Sequence, residues 1–229
     1  MQFQFLGTGG AFDVEWGNSA ALFQLNGYGL LVDCGHSVYG ALVQKGLVDA
    51  VTHVFLTHTH DDHCGSLGTL IYHHYFKLGR KLKLVVADDP HHEELHSLLR
   101  LTVRDLDKYL EFVRIQQTPG LTAIPTHGLH FPDMPTWGLF LEDSEDRILY
   151  SGDMGHPTFF RDWFTAQGKT PTLILHEATW GHAPGVHCHY TDLYPYLELC
   201  SVYIYHCPFD QMPEDCQLRH VLELPPARR

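Results

Sequence analysis

The stretch Leu56-Thr57-His58-Thr59-His60-Asp61-Asp62-His63-Cys64-Gly65 constrains this chain more than any other. Ahead of it, Val51-Thr52-His53-Val54-Phe55-Leu56 is β-branched and apolar enough for a buried strand. Behind it, Gly65-Ser66-Leu67-Gly68-Thr69-Leu70-Ile71 starts a helix. Four donors, His58, His60, Asp62 and His63, therefore occupy one strand-to-helix turn. In an extended segment His58 and His60 point the same way, while Asp62 and His63 can face a second point nearby. Two adjacent cations suit this arrangement better than one, because neutral imidazole and carboxylate are donors that divalent Zn, Mn or Fe accept.

Composition narrows the partners. Fifteen Lys and Arg stand against 27 Asp and Glu, for a formal charge of −12. A protein gripping long nucleic acid neutralises several phosphates with basic side chains, so a small substrate is expected and long nucleic acid is not. The length of 229 residues suits a single domain over 1–229. No apolar run approaches the length of a membrane span, and Met1-Gln2-Phe3-Gln4-Phe5-Leu6 lacks the basic region of a signal peptide. The six cysteines are scattered without a CxxC, as in a reducing cytoplasm.

The remaining pattern alternates strands and helices. Strands are predicted at Phe3–Leu6, Asn18–Leu25 and Tyr28–Gly35, with Asn26-Gly27 as a hairpin turn. The glycine-rich Gly7-Thr8-Gly9-Gly10 lacks the spacing of a nucleotide cradle and reads as a tight turn at the mouth of a cleft. Helices follow at Val38–Gly46, at Leu67–Phe76 and from Pro90 through Leu101, where His91, His92 and His96 read as a solvated face. Further strands are expected at Lys81–Val86, Leu121–His127, Trp137–Glu142, Arg147–Asp153, Thr172–Glu177 and Ser201–His206, and the tail Pro208–Arg229 gives no signal. Each half, a hairpin followed by βα units, forms a weak structural repeat within a mixed sheet flanked by helices.

Four separated strands thus end in His58/His60, His127, Asp153 and His206. In open α/β folds, sites gather at strand ends. The ordered set His58-x-His60-x-Asp62-His63, His127, Ser151-Gly152-Asp153 and His206 resembles the metallo-β-lactamase superfamily over nearly the whole chain. The resemblance implies an α/β fold of αββα sandwich type, two mixed sheets flanked by helices, with a dinuclear centre at one edge. It implies one metal on His58, His60 and His127, another on Asp62, His63 and His206, and Asp153 bridging both. His130 rivals His127, which is preferred because it directly ends its strand.

Within that superfamily the flanks Phe5-Leu6-Gly7-Thr8, Val32-Asp33-Cys34-Gly35 and His176-Glu177-Ala178-Thr179 look most like the ribonuclease Z and phosphodiesterase branch. That likeness implies Glu177 orienting a proton-donating histidine, His189, with His187 as its substitute. His156 and His182 are further cleft candidates. It also implies a homodimer and hydrolysis of a phosphodiester by a metal-bridging hydroxide that Asp62 helps to orient, with zinc the leading metal. Two departures argue against tRNA 3′-end processing. His206-Cys207-Pro208 lacks the arginine and tyrosine that follow this ligand in ribonuclease Z, and the short span from Asp153 to Glu177 has no room for its tRNA-holding arm. By the family likeness alone, a cyclic nucleotide is the expected substrate. A tRNA endonuclease, a lactone or thioester hydrolase and a non-catalytic metal sensor are the competing readings.

Overall fold

The computed structural model describes residues 1–225, so the last four residues of the expected domain and of the C-terminal tail lie outside the described region. Its strands form two six-stranded sheets. The first contains β1 (Gln2–Gly7), β2 (Ala20–Leu25), β3 (Tyr28–Val32), β4 (His53–Phe55), β5 (Leu82–Val86) and β6 (Leu110–Arg114) in that order. The second contains β7 (Leu121–Pro125), β8 (Trp137–Glu142), β9 (Arg147–Tyr150), β10 (Leu173–Glu177), β11 (Ser201–Tyr205) and β12 (Arg219–His220), with β7 at one edge and β12 at the other. The sheets are mixed: β1·β2, β2·β3, β7·β8 and β8·β9 pair antiparallel, and the remaining neighbours pair parallel.

Alternation along the strands builds three apolar layers. Leu30 and Val32 of β3, Phe55 of β4, Leu139 and Leu141 of β8, and Tyr150 of β9 fill the space between the sheets. Their neighbours point the other way. Leu31 and Val54 pack under helices α1 (Val38–Lys45), α3 (Leu67–Leu78) and α4 (Asp89–Thr102). Phe140, Leu149 and Ile174 pack under α6 (Phe159–Gln167) and the 3-10 stretch Tyr190–Glu198. This is the αββα sandwich. Two short helices complete it, α2 (Asp61–Cys64) and α5 (Leu106–Tyr109).

The Asn26-Gly27 turn forms as expected, with both residues at positive φ (46° and 89°), the geometry that joins β2 to β3 without splaying them. The strands β6 and the two-residue β12 and the helices α2, α5 and α6 escape the sequence pattern. The solvated reading of His91 is wrong. Its ring is buried between Phe55 and Trp137, and its Nδ1 accepts from the Ala87 N–H. The reason is α4 itself. Asp88 caps the helix by accepting from the His91 N–H, which sets His91 on the face that also carries Leu95 and Leu99. His92 is half-buried and His96 exposed.

The sheets are stitched where the site lies. Trp137 N–H donates to the Thr57 carbonyl (2.9 Å), and His206 N–H donates to the Thr8 carbonyl (2.8 Å). Each bond ties one half of the chain to the other. Gly35 permits a third close approach, since a Cβ there would collide with the Asp62 carbonyl oxygen. Among the described residues no helix is long and apolar enough to cross a membrane.

Candidate active site and metal centre

The donors of the first half leave β4 together. Thr57, His58 and His63 are buried, and Asp62 is nearly so. The organising group beneath them is Asp33, a fully buried carboxylate at the end of β3. It accepts from Thr57 N–H (2.7 Å), from Thr57 Oγ1–H (2.9 Å) and from His63 Nδ1–H (2.9 Å). Thr57 Oγ1 in turn lies 3.1 Å from His58 Nδ1 and accepts from it. One carboxylate therefore fixes the tautomers of two imidazoles and turns the Nε2 lone pairs of His58 and His63 outward.

The second half brings its donors singly. His130, on the loop after β7, donates from Nδ1 to the Val186 carbonyl (2.7 Å) and presents Nε2 at 3.2 Å from His60 Nδ1. His58 Nε2 is 2.9 Å from the same atom. Asp153 follows β9, with Oδ2 at 3.4 Å from His63 Nε2 and 3.2 Å from His206 Nε2. His206 follows β11 at positive φ (67°), with Nε2 3.5 Å from Asp62 Oδ2. Two groups of donors result, His58 with His60 and His130, and Asp62 with His63 and His206. Asp153 clusters with His58 and His63, between them. Their atoms have the spacing of a metal cage. Donors about 2 Å from a tetrahedral ion stand roughly 3.3 Å apart.

This geometry corrects two sequence expectations. His127 stays outside the cluster. Its ring packs on Trp137 (4.6 Å, 86°) and its Nδ1 accepts from the Thr136 N–H, so it faces a separate groove lined by Ala87, Ile115 and β7. A turn closed by Leu129 N–H on the Thr126 carbonyl carries the chain past it, and His130 is the residue that arrives. His189 likewise bonds Thr191 Oγ1 through Nδ1 (2.7 Å), away from Glu177. His187 takes the place beside Glu177, with Nδ1 3.3 Å from Oε2. Glu177 is fully buried, and its Oε1 accepts from Met154 N–H and Cys188 N–H, which leaves Oε2 for His187. His156 and His182 are exposed and line no part of the cleft. The family likeness marked both His189 and His187 as candidates, but only the loop's path decides between them.

The electrostatics match the geometry. Burial is the largest cause holding His58, His60 and His130 below the ordinary imidazole range, so each is a neutral donor. Burial also opposes charge on His63, yet the carboxylates of Asp153 and Asp33 outweigh it and raise its pKa. Burial likewise opposes charge on Asp153, and His206 and His63 outweigh it and hold the carboxyl well below its usual range. On Asp62, hydrogen bonds from His206 and His63 overcome the same penalty. For His187, the contact with Glu177 overcomes burial and lifts the imidazole to about 9. These groups open on a cleft of about 740 Å³ whose rim carries Gly10 to Asp13, His36, Phe131 and Val186.

A histidine and aspartate cage at one edge of an αββα sandwich defines a metallo-β-lactamase-fold protein, and solved structures bear this out. YhfI of Bacillus subtilis superposes with a TM-score of 0.71 at 19% identity, over 90% of this chain and 86% of its own. The human short-form tRNase Z does so with 0.68 at 19%, over 94% and 97%. The chain belongs to the family described as Anti-Pycsar protein Apyc1, whose model matches residues 1–221. A relative of that name from Bacillus phage 010DV004 is 30% identical over 222 residues, 86% of this chain and 84% of the relative. Fold, family and donor cluster together are those of a metal-dependent hydrolase.

Proposed function

We propose that this chain is a phosphodiesterase of small cyclic nucleotides that works with two divalent cations. The observation that carries the reading is the make-up of the cleft. Its floor holds imidazoles and carboxylates, and none of the described residues lining it is lysine or arginine. Anion binding would then fall to the cations, which favours a substrate of low total charge. A cyclic mononucleotide is a monoanion, whereas a polyphosphate carries several charges and a long RNA brings a charge on every one of its many phosphodiesters. The family name, anti-Pycsar protein, is consistent with degradation of cyclic nucleotides.

The residues fit the metals. Nε2 of His63, Nε2 of His206 and Oδ1 of Asp153 are buried without a hydrogen-bond partner. Buried polar atoms of this kind are ordinarily satisfied, and these converge where a cation would accept them. His58, His60 and His130 would hold one ion, Asp62, His63 and His206 the other, with Asp153 between them. Zinc is the proposed metal, and manganese or iron would suit the same donors. When bound, such cations acidify a water and neutralise charge on the phosphoryl oxygens.

The protein's own groups complete the step. Asp62 accepts a hydrogen bond from the attacking water and aims it at phosphorus. The new P–O bond forms as the bond to the ribose oxygen breaks. His187, held protonated by Glu177, gives its proton to that leaving oxygen and stops an alkoxide from accumulating. The product is a nucleoside monophosphate. The test is turnover of a panel of 3′,5′-cyclic nucleotides, followed by chromatography of the monophosphate. Chelation should abolish it and added zinc or manganese restore it. A metal-loaded protein that hydrolyses none of the panel defeats the proposal, and cleavage of a 3′-extended precursor tRNA in its place would support the endonuclease reading.

A further inference from the structure

Two phenylalanines at the mouth of the cleft have no part in the chemistry above. Phe12, on the loop after β1, is 94% exposed, and Phe131, next to His130, is 42% exposed. Neither earns its place through the core. The loop of Phe12 is fixed by polar bonds: Gly10 N–H donates to Asp13 Oδ2 (2.9 Å), Trp16 N–H to the Asp13 carbonyl (3.1 Å) and Thr8 N–H to the Trp16 carbonyl (3.0 Å). The turn thus holds an apolar ring in water at a defined position. Phe131 is braced from the side. His60 and His130 lie nearly perpendicular to it (87° and 88°, with centroids at 5.2 and 4.9 Å), and no described ring is stacked parallel on it.

Exposed aromatic rings beside a polar site are what a ligand with an apolar face would cover. A cyclic nucleotide with its phosphorus over the donor cluster has only its base left to extend toward the mouth. At the mouth Asp13 accepts from Gly10 N–H, Asp61 pairs with His36 at 2.6 Å, and no described lining residue is Asn, Gln, Lys or Arg. The faces of the base would therefore find more contact there than its edges. Resting on the phosphodiesterase reading, we propose that Phe12 and Phe131, one from each half of the chain, form the platform on which the nucleobase stacks. They would be specificity-determining residues that select a cyclic phosphate bearing a base over one without. Base–aromatic stacking changes affinity by roughly five- to a hundredfold.

The test compares a 3′,5′-cyclic nucleotide with methyl β-D-ribofuranoside 3′,5′-cyclic phosphate, which keeps the reacting ring and lacks the base. In the Phe12→Ala/Phe131→Ala variant the ratio of kcat/KM for the two substrates should fall by about tenfold, carried by KM for the nucleotide and not by kcat. Phe131→Tyr should restore the ratio, and Phe131→Leu, which keeps apolar bulk without a ring, should not. An unchanged ratio with an active wild type overturns the platform and leaves the phosphodiesterase reading standing. Equal loss on both substrates also overturns it, because the rings would then serve only to hold the loops. A wild type that turns over neither substrate overturns the phosphodiesterase reading, and the platform with it.

Discussion

In both sheets the first two strand pairings are antiparallel and the other three are parallel, so the second half of the chain repeats the strand plan of the first. The matching strands β3 and β9 are both followed by a residue at positive φ, Asp33 (65°) and Gly152 (63°). Yet the halves furnish the site in opposite ways. The first delivers His58, His60, Asp62 and His63 on one loop, over a single buried carboxylate. The second delivers His130, Asp153 and His206 on three loops, each seated by contacts to a distant part of the chain. A local cluster is set by a few neighbouring dihedrals. A dispersed one exists only once the sheet has paired. The first half therefore carries a motif, and the second depends on the fold.

The sharpest way to break this comparison is to exchange the two histidines of the loop after β7. His130→Ala removes a donor from the cage. Residues that merely support ligands cost about 10- to 100-fold when lost, so deleting a donor itself should cost on the order of a thousandfold in kcat/KM, with loss of bound metal. His127→Ala should leave both nearly unchanged, since among the described residues His127 bonds Thr136 N–H and packs on Trp137, away from the donor cluster. Metal analysis beside the kinetics of each variant decides the matter. If His127→Ala strips the metal and His130→Ala does not, the second half's seating has been misread.

A smaller effect tests the acid. His187→Gln should lower kcat by about a hundredfold, the lower range for a lost proton donor, and His189→Gln should change it little. The sign of the pH dependence follows from the contact with Glu177. His187 is protonated below about 9, so the proton is available at neutral pH and is lost as the pH rises through that value. The wild-type rate should fall on that alkaline limb, and His187→Gln should remove the limb. A His189→Gln variant that loses it instead would return the role to His189.

The same contrast explains what the sequence made legible. Strands, the hairpin at Asn26-Gly27 and the four-donor loop are local, and alternation or spacing declares them. Asp153 and His206 were legible because each lies close behind an apolar strand, His206 at once and Asp153 three residues on. His130 was not, because the donor nearest a strand end is chosen only when the chain does not turn back, and here a turn at Thr126–Leu129 intervenes. His187 was masked in the same manner. The bridge between Thr179 and His189 fixes the loop's register and leaves the residue two places earlier beside Glu177. Leu110-Glu111-Phe112-Val113-Arg114 breaks strict alternation, with Leu110 and Val113 buried three residues apart, and it is short and follows a helix directly. The helix at Phe159–Gln167 carried its signal in Phe160 and Phe164, one turn apart on the buried face.

The smallest expected effect concerns stability, and it probes the first half apart from its chemistry. Burial holds His91 down to about 4, against about 6.5 for an unfolded imidazole. Because the folded value is depressed, the folded state keeps His91 neutral while the unfolded state takes up a proton as the pH falls below 6.5. The fold thus loses stability across the window from 6.5 to 4 and loses no more from this group below it. His91→Gln keeps an acceptor for the Ala87 N–H and removes the titration. Urea unfolding at intervals from pH 7 to 4 should show a shallower decline for the variant than for the wild type, by a few kcal/mol at most. His74 and His53 in the same half, and His220 in the other, are also held to about 4, so the decline should be reduced and not abolished. Parallel declines in the two proteins would mean that His91 takes up its proton without unfolding, and that the packing between Phe55 and Trp137 is looser than the structure shows.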